Sequence, residues 1–338
     1  MRVRARKWMV ALTVWTMIAA IALPAMAGEI TWKASIWGPK RASAQALEWY
    51  AKEVAAKTGG QMKLEFGFEQ GKATEALDAL KTHEMSYLCV QYHADKMPLL
   101  TVIELPMFAP DSPSVLGRVE LALVDHPTVQ AELKKLNMKI LIPVALPPYQ
   151  LMSTRRVAKV DDFQGLKVRM SADMGKILEE YGASTKVMPV PEAITAMKSG
   201  GLDSIALPPY AFVSYKVHET AKYMTDKISL GSPLCALAVN QKAWDALPPK
   251  VQEVMSSLRQ PAVALYEEIF AREDAANLAA FKSGNVEISN FSASDRARLV
   301  AKSIKHWQAW VEEREKQGLK GREVFEFVQA KIREFSRR

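Results

Sequence analysis

Arg169 is the residue whose position in the sequence most clearly predicts chemistry. It is the fifth residue of GLKVRM, residues 165–170, which is typical of a short strand, and it comes two residues before Ser171, a residue type that often begins a helix. A guanidinium beside a helix N-terminus can hold a carboxylate through two parallel hydrogen bonds, assisted by free backbone amides. On position alone, a solvated surface arginine remains the alternative.

The pentapeptide ALPPY occurs twice, at residues 145–149 and 206–210. Each copy ends an apolar segment that is predicted to be a strand. Proline cannot donate to a strand ladder, so each proline pair should end the pairing and turn the backbone outward. In open α/β sheets, ligands bind beyond the carboxyl ends of the strands. We therefore expect Tyr149 and Tyr210 to face a cleft between two domains.

Residue patterns typical of catalysis are nearly lacking. The five histidines are dispersed, and His218-Glu219 is followed by Lys222 where a metalloprotease needs a second ligand. There is no nucleophile elbow, Walker loop or dinucleotide fingerprint. Cys89 and Cys235 lie in apolar strands, where cysteine normally acts as a small hydrophobic residue, with a disulfide as the alternative. The sequence predicts no catalytic residue, no metal site and no cofactor.

The N-terminus predicts export. Residues 1–27 contain a basic start, an apolar run shorter than a membrane span needs, and a cleavage pattern before Gly28. A permanent N-terminal anchor is the alternative. This segment carries four Lys and Arg and no acid, so its removal lowers the net charge from +8 to +4. The remaining charge is too scattered for a nucleic-acid partner. We expect a periplasmic protein that is a monomer.

Strands and helices alternate along the chain, with a helix predicted at 74–81 and strands at 87–92 and 186–190, which predicts α/β architecture with mainly parallel sheets. We expect two lobes: residues 28–148 with about 235–265, and residues 149–234 with about 266–338. A helical pattern at 249–281, kinked at Pro261, is long enough to span both lobes. Two amphipathic helices, at 294–316 and 322–335, should pack outside.

The two predicted lobes also resemble each other. EALDALKTHEMSYLCV at residues 75–90 and EAITAMKSGGLDSIAL at residues 192–207 share Glu, Ala, Ala and Lys in register. Both read as a helix that leads into a buried strand. The alternative is the generic similarity of helix–strand units. The favoured interpretation is two domains of like topology.

Several short motifs carry a family resemblance. In order they are TGG at 58–60, EALDALK at 75–81, LPMF at 105–108, DFQGLKVR at 162–169, PVPE at 189–192, AMKSGGLD at 196–203 and WDALP at 244–248. From about residue 30 to residue 250, the chain resembles the organic-acid-binding solute receptors of tripartite ATP-independent periplasmic (TRAP) transporters. The resemblance implies two lobes, hinge strands, a bridging helix and closure around an organic acid. It also implies membrane transporter subunits as partners, and gives Arg169 the role of gripping the carboxylate.

Two departures from that pattern coincide with the ALPPY segments. Many acid-binding relatives carry a second arginine near the end of the long strand before the second domain, whereas this chain has none until Arg155 and Arg156. Relatives often have Asp-Gly and an Asn after the third strand of the second domain, but residues 203–208 contain neither Gly nor Asn. Our hypothesis is that the polar ligand contacts of these relatives are replaced here by the aromatic and proline residues of the two ALPPY segments.

The ligand prediction follows from these residues. One strong cation suits one carboxylate, so we favour a monocarboxylate with a hydrophobic or aromatic body. The aromatic candidates, for which core packing is the alternative, are Trp37, Tyr92, Tyr149, Tyr210 and Phe212. Polar substituents would reach Glu69, Gln70 and Gln91, for which solvated loop residues are the alternative. Two other functions stay open: a binding protein for an ATP-driven importer, and an enzyme on a two-lobed scaffold.

Overall fold

The computed structural model describes residues 28–337, so the predicted signal peptide at 1–27 lies outside the described residues. Eleven strands are formed within this range. They are β1 Ile30–Ser35, β2 Met62–Gly67, β3 Met85–Cys89, β4 Met138–Val144, β5 Gln150–Ser153, β6 Lys167–Arg169, β7 Ser184–Lys186, β8 Ser204–Leu207, β9 Tyr223–Asp226, β10 Cys235–Asn240 and β11 Glu287–Asn290.

Helices cover these strands. They are α1 Gln45–Lys57, α2 Ala76–Ala79, α3 Pro113–Val124, α4 Pro127–Lys135, α5 Ala172–Glu179, α6 Val190–Lys198, α7 Pro209–Ser214, α8 Val217–Thr220, α9 Gln241–Asp245, α10 Pro249–Ser257, α11 Arg259–Ser283, α12 Ala293–Lys316 and α13 Gly321–Phe335. The predicted C-terminal helices are therefore present as α12 and α13.

The strands form two sheets with the same core topology. The first has the order β2-β1-β3-β10-β4 and the second β11-β9-β5-β8-β6-β7. In each, three parallel strands lie beside one antiparallel strand, β10 in the first and β5 in the second. The orders β2-β1-β3-β10 and β7-β6-β8-β5 correspond one to one. The prediction of two α/β lobes of like topology is thus confirmed.

Two of the three crossings between the sheets run through neighbouring segments, and the third runs through α9, α10 and α11. Residues 145–149 lead from β4 to β5, and residues 227–234 return from β9 to β10. The backbone amide of Tyr149 donates to Gly231 at 2.8 Å, and that of Leu230 donates to Tyr149 at 3.0 Å. The Ser232 hydroxyl donates to the Leu146 carbonyl at 3.0 Å. The first ALPPY segment is therefore an extended hinge segment bonded to the returning segment.

The predicted long helix is divided in two. Helix α10 ends at Ser257 and α11 begins at Arg259, so the break lies at Leu258, three residues before the expected kink residue Pro261. Proline has no N–H for the carbonyl four residues earlier, and its ring clashes with that carbonyl, which here belongs to Ser257. Helix α11 still contacts both lobes, since it packs on α1 and α3 and also on α7.

Three predicted elements differ from the structure at their ends. The strand expected at 87–92 stops at Cys89, and residues Val90–Tyr92 form a 3-10 turn. The strand expected at 186–190 lies at Ser184–Lys186, because the proline on each side of Val190 favours the start of α6. The helix expected at 74–81 is only a 3-10 turn followed by α2.

Cys89 and Cys235 are joined by a disulfide. They face each other directly in the register of β3 against β10. The disulfide alternative is therefore the one that the structure shows, and the interpretation of free cysteines acting as small hydrophobic residues is wrong, although both side chains are buried. The bond ties the return strand β10 to the strand that leads into Gln91 and Tyr92.

Candidate functional site

A cavity lies between the two sheets at the carboxyl ends of β3, β6 and β8 and against the first hinge segment. Its free volume in this closed structure is about 30 Å³. That is below the ~300–1,000 Å³ usual for small-molecule pockets, so entry of a ligand requires the lobes to move apart. The predicted residues that line it are Trp37, Gln91, Tyr92, Tyr149, Arg169 and Tyr210. The position agrees with the rule for open α/β sheets.

Arg169 is buried at this cavity, with 1% of its surface exposed. Its Nε donates to the Met188 carbonyl at 2.9 Å and its Nη1 to the Ala206 carbonyl at 3.2 Å. These two bonds, both to backbone carbonyls of the second lobe, fix the plane of the guanidinium. Burial works against its charge, but the Tyr92 and Tyr149 hydroxyls favour it, and the net effect is a raised pKa. The arginine is a fixed cation.

A tyrosine from the first lobe meets this arginine across the cleft. Arg169 Nη2 donates to the Tyr92 hydroxyl at 2.5 Å. Tyr92 follows β3, whereas Arg169 ends β6 in the other sheet. The bond therefore joins the two lobes, and the structure describes a closed cleft. The 3-10 turn at Val90–Tyr92 directs both Gln91 and Tyr92 to the cavity.

The two ALPPY tyrosines reach the cavity by different routes. Tyr149 comes from the hinge segment and is buried, and burial raises the pKa of its hydroxyl, which therefore stays protonated at neutral pH. Tyr210 lies in α7, which begins directly after Pro208. Its ring stacks on Phe270 of the bridging helix α11, with centroids 5.1 Å apart. The expected cleft positions of Tyr149 and Tyr210 are those the structure shows.

Three further residues line the cavity but were not predicted from the sequence; one is an arginine and two are tyrosines. They are Arg41, Tyr87 and Tyr215. Arg41 follows β1, so the rule about carboxyl ends of strands could have found it. Tyr87 lies inside β3, and Tyr215 follows α7 in an ordinary helical pattern, so their sequence context gives no signal.

Three predicted residues do not line the cavity. Phe212 is fully buried and packs edge-on against Phe281, with centroids 6.5 Å apart, as the core-packing alternative had it. Glu69 and Gln70 are exposed in the turn after β2, and Gln70 borders a separate open groove. The cavity lining also does not include residues 171–173, so the helix amides expected beside Arg169 are not among its walls.

Within residues 28–337, no group of three His, Cys, Asp or Glu side chains is arranged to hold a metal ion. None of the helices in that range combines the length and hydropathy that a bilayer crossing requires. The chemistry that the described cavity offers is the binding of an anion by fixed cations and hydroxyls within aromatic walls.

Comparison with protein families gives one match that covers most of the chain. The model of the bacterial extracellular solute-binding protein family 7 matches residues 33–314. The chain belongs to this family. A solute-binding protein of Verminephrobacter eiseniae is 25% identical over 267 residues, which cover 76% of this chain and 77% of that protein.

Solved structures of similar fold come from the same class of proteins. A TRAP solute-binding protein of Rhodoferax ferrireducens, in complex with copurified benzoate, aligns with a TM-score of 0.82 at 21% identity. A marine metagenome TRAP protein specific for aromatic acids, crystallised with 3-hydroxybenzoate, gives the same TM-score and identity. Each alignment covers 91% of this chain and 99% of the other. The resemblance read from the motifs and the two-lobed fold are confirmed.

Proposed function

We propose that the protein is an extracytoplasmic receptor for a small organic acid, which it delivers to the membrane subunits of a TRAP transporter. The favoured ligand is a carboxylate on a hydrophobic or aromatic body. We further propose that residues 1–27 are an export signal removed near Ala27, and that the mature chain acts in the periplasm as a monomer with the two predicted lobes.

The observation that carries the proposal is the uncompensated charge of Arg169. Its guanidinium is bonded to two carbonyls and a hydroxyl, and no carboxylate among residues 28–337 lies within 4.0 Å of it. A buried cation without a counter-ion is costly, and a ligand carboxylate entering the cavity would supply one. The arginine and the Tyr92 and Tyr149 hydroxyls can all donate to that carboxylate.

The walls of the cavity suit an apolar, flat ligand body. Trp37 lies with its ring centroid 5.6 Å from that of Tyr87 and 5.9 Å from that of Tyr92. Charge-assisted hydrogen bonds contribute about 1.5–3 kcal/mol each, and a micromolar complex needs about 8 kcal/mol. Two such bonds together with aromatic burial therefore suffice. The aromatic acids bound by the two solved relatives support this ligand class.

A panel of acids tests the proposal. The mature protein should melt at a higher temperature with benzoate than with cyclohexylamine, which has a similar apolar body but a cationic group. Succinate, a dicarboxylate without an aromatic body, should give a smaller shift than benzoate. Equal shifts with benzoate and the amine would contradict recognition of a carboxylate.

The alternative transport and enzyme functions have separate tests. Genes for two TRAP membrane subunits beside the gene for this protein would support the TRAP assignment, whereas an adjacent transport ATPase would support an ATP-driven importer. Chemical conversion of a bound acid over hours would indicate an enzyme. Recovery of the unchanged acid on denaturation supports a receptor.

A further inference from the structure

A second arginine, Arg41, lines the cavity in addition to Arg169 and forms its second polar end. Arg41 is 9% exposed, and its Nη1 donates to the carbonyls of Trp37 at 3.2 Å and Pro39 at 3.0 Å. Its guanidinium carbon lies 4.8 Å from the centre of the Trp37 ring and 5.8 Å from that of Tyr215. No carboxylate among residues 28–337 lies within 4.0 Å of it. The cavity thus has two cations and no acid in its lining.

The same wall holds donors without acceptors. Trp37 Nε1 and the Tyr215 hydroxyl are both buried from solvent and have no hydrogen-bond partner. The Tyr215 hydroxyl and Arg41 Nη1 converge beside Gly38, 2.6 and 2.9 Å from the position that a Cβ on Gly38 would take. Each unsatisfied buried polar group is unfavourable and rare in native proteins, so a cluster of them in a binding cavity points to a missing partner.

An unpaired acceptor completes the set. Gln91 lines the cavity, and its Oε1 is buried without a donor. A carboxylate oxygen could accept from Arg41 and Trp37 but could not donate to Gln91. A hydroxyl can do both. Arg41 differs from Arg169 in lying against three aromatic rings, with its guanidinium carbon 4.8, 5.2 and 5.8 Å from their centres, which stabilise part of its charge, so a neutral hydroxyl can occupy this end.

We infer that the ligand carries a hydroxyl group in addition to its carboxylate, and that Arg41, Trp37, Tyr215 and Gln91 form the subsite for that hydroxyl. The inference rests on the proposed function, since Arg169 is taken to bind the carboxylate. The substrate class is then a small hydroxy-substituted acid with an aromatic body. The wall formed by Tyr92 and Trp37 connects the two ends, because Tyr92 contacts Arg169 and Trp37 contacts Arg41.

The test is calorimetric titration of the mature protein with benzoate, its three monohydroxy isomers and isophthalate, which has a second carboxylate. We expect at least one hydroxybenzoate to bind at least 10-fold more tightly than benzoate, because a charge-assisted hydrogen bond to the hydroxyl raises affinity about 10- to 100-fold. The same hydroxybenzoate should also bind more tightly than isophthalate. In Arg41→Met, the ratio of the benzoate Kd to the hydroxybenzoate Kd should fall to about 1–3. Tyr215→Phe keeps the ring and should lower that ratio by about 3- to 10-fold.

Arg155→Met is the control, because Arg155 is exposed and does not line the cavity, and it should leave the ratio unchanged. An unchanged ratio in both Arg41→Met and Tyr215→Phe would overturn the subsite. Tighter binding of isophthalate than of every hydroxybenzoate would overturn the hydroxyl assignment. If the wild type binds benzoate but no hydroxy acid more tightly, only this inference fails. If it binds none of these acids, the proposed function fails with it.

Discussion

Replacement of Arg169 by methionine should abolish most of the affinity for a carboxylate ligand. Methionine keeps the approximate length of the side chain and removes every donor. The cavity contributes hydroxyls from Tyr92 and Tyr149, but these cannot supply the lost charge. A buried carboxylate left without its cation costs roughly 2–5 kcal/mol, so we expect Kd to rise about 30- to 5,000-fold.

The measurement is calorimetric titration with benzoate, accompanied by thermal melting of the unliganded proteins. Arg169→Met also removes donors from the Met188 and Ala206 carbonyls, at about 1 kcal/mol each, so the unliganded variant should melt at a lower temperature while still unfolding cooperatively. Arg155→Met is the matched control and should bind as the wild type does, since Arg155 is exposed. A folded Arg169→Met protein with wild-type affinity for benzoate would refute the assignment of Arg169.

Four further outcomes are expected. Tyr92→Phe removes the hydroxyl that joins Arg169 across the cleft and should weaken benzoate binding about 3- to 10-fold by titration, whereas unchanged affinity would place that hydroxyl outside recognition. Replacing both Cys89 and Cys235 by alanine should lower the free energy of unfolding in urea by about 2–4 kcal/mol, and a reductant should then destabilise the wild type but not this variant. Burial raises the pKa of Glu132 to about 7 from 4.5, so the folded state keeps a proton that the unfolded state releases, and stability should fall as pH rises between those values. Glu132→Gln should remove that part of the urea-stability profile, and identical profiles would contradict the raised pKa. Ligand should reduce the radius of gyration of the wild type in solution scattering, and equal radii with and without ligand would argue against closure of the lobes.

Much of the fold could be predicted because the signals for it are local. Alternation of apolar residues identified most strands, and helical periodicity identified α12 and α13 to within a residue at their first positions. The resemblance between residues 75–90 and 192–207 corresponds to real equivalence, since β3 and β8 occupy matching places beside the antiparallel strands β10 and β5. Arg169 could be selected because a strand end beside a helix start is itself a local pattern.

The parts that could not be predicted depend on contacts between distant segments. Cys89 and Cys235 are 146 residues apart, and only the register of β3 against β10 brings them together. Arg41 becomes a cavity residue because the loop after β1 meets Tyr215 from the other lobe. Our hypothesis of a single cation in the site therefore missed a second arginine. This arginine lies in a different part of the chain from the second arginine of the family pattern.

The two copies of ALPPY show both the value and the limit of reading a motif. In the second copy the strand pairing ends directly before Pro208, as expected, whereas in the first copy β4 already ends at Val144, three residues before Pro147; each tyrosine lines the cavity. The first copy is a hinge segment whose Tyr149 backbone is hydrogen-bonded to Gly231 and Leu230, whereas the second copy leads into helix α7. The same five residues thus adopt different structures, because proline is tolerated both outside a ladder and in the first turn of a helix.

Native mass spectrometry of the exported, mature protein, purified without denaturation, tests the central claim most directly. We predict a reproducible small adduct that is released on unfolding, is identified as an organic acid, and is absent when Arg169→Met is purified in the same way. A reproducible adduct without a carboxylate, or an acid that Arg169→Met retains in full, would contradict the account.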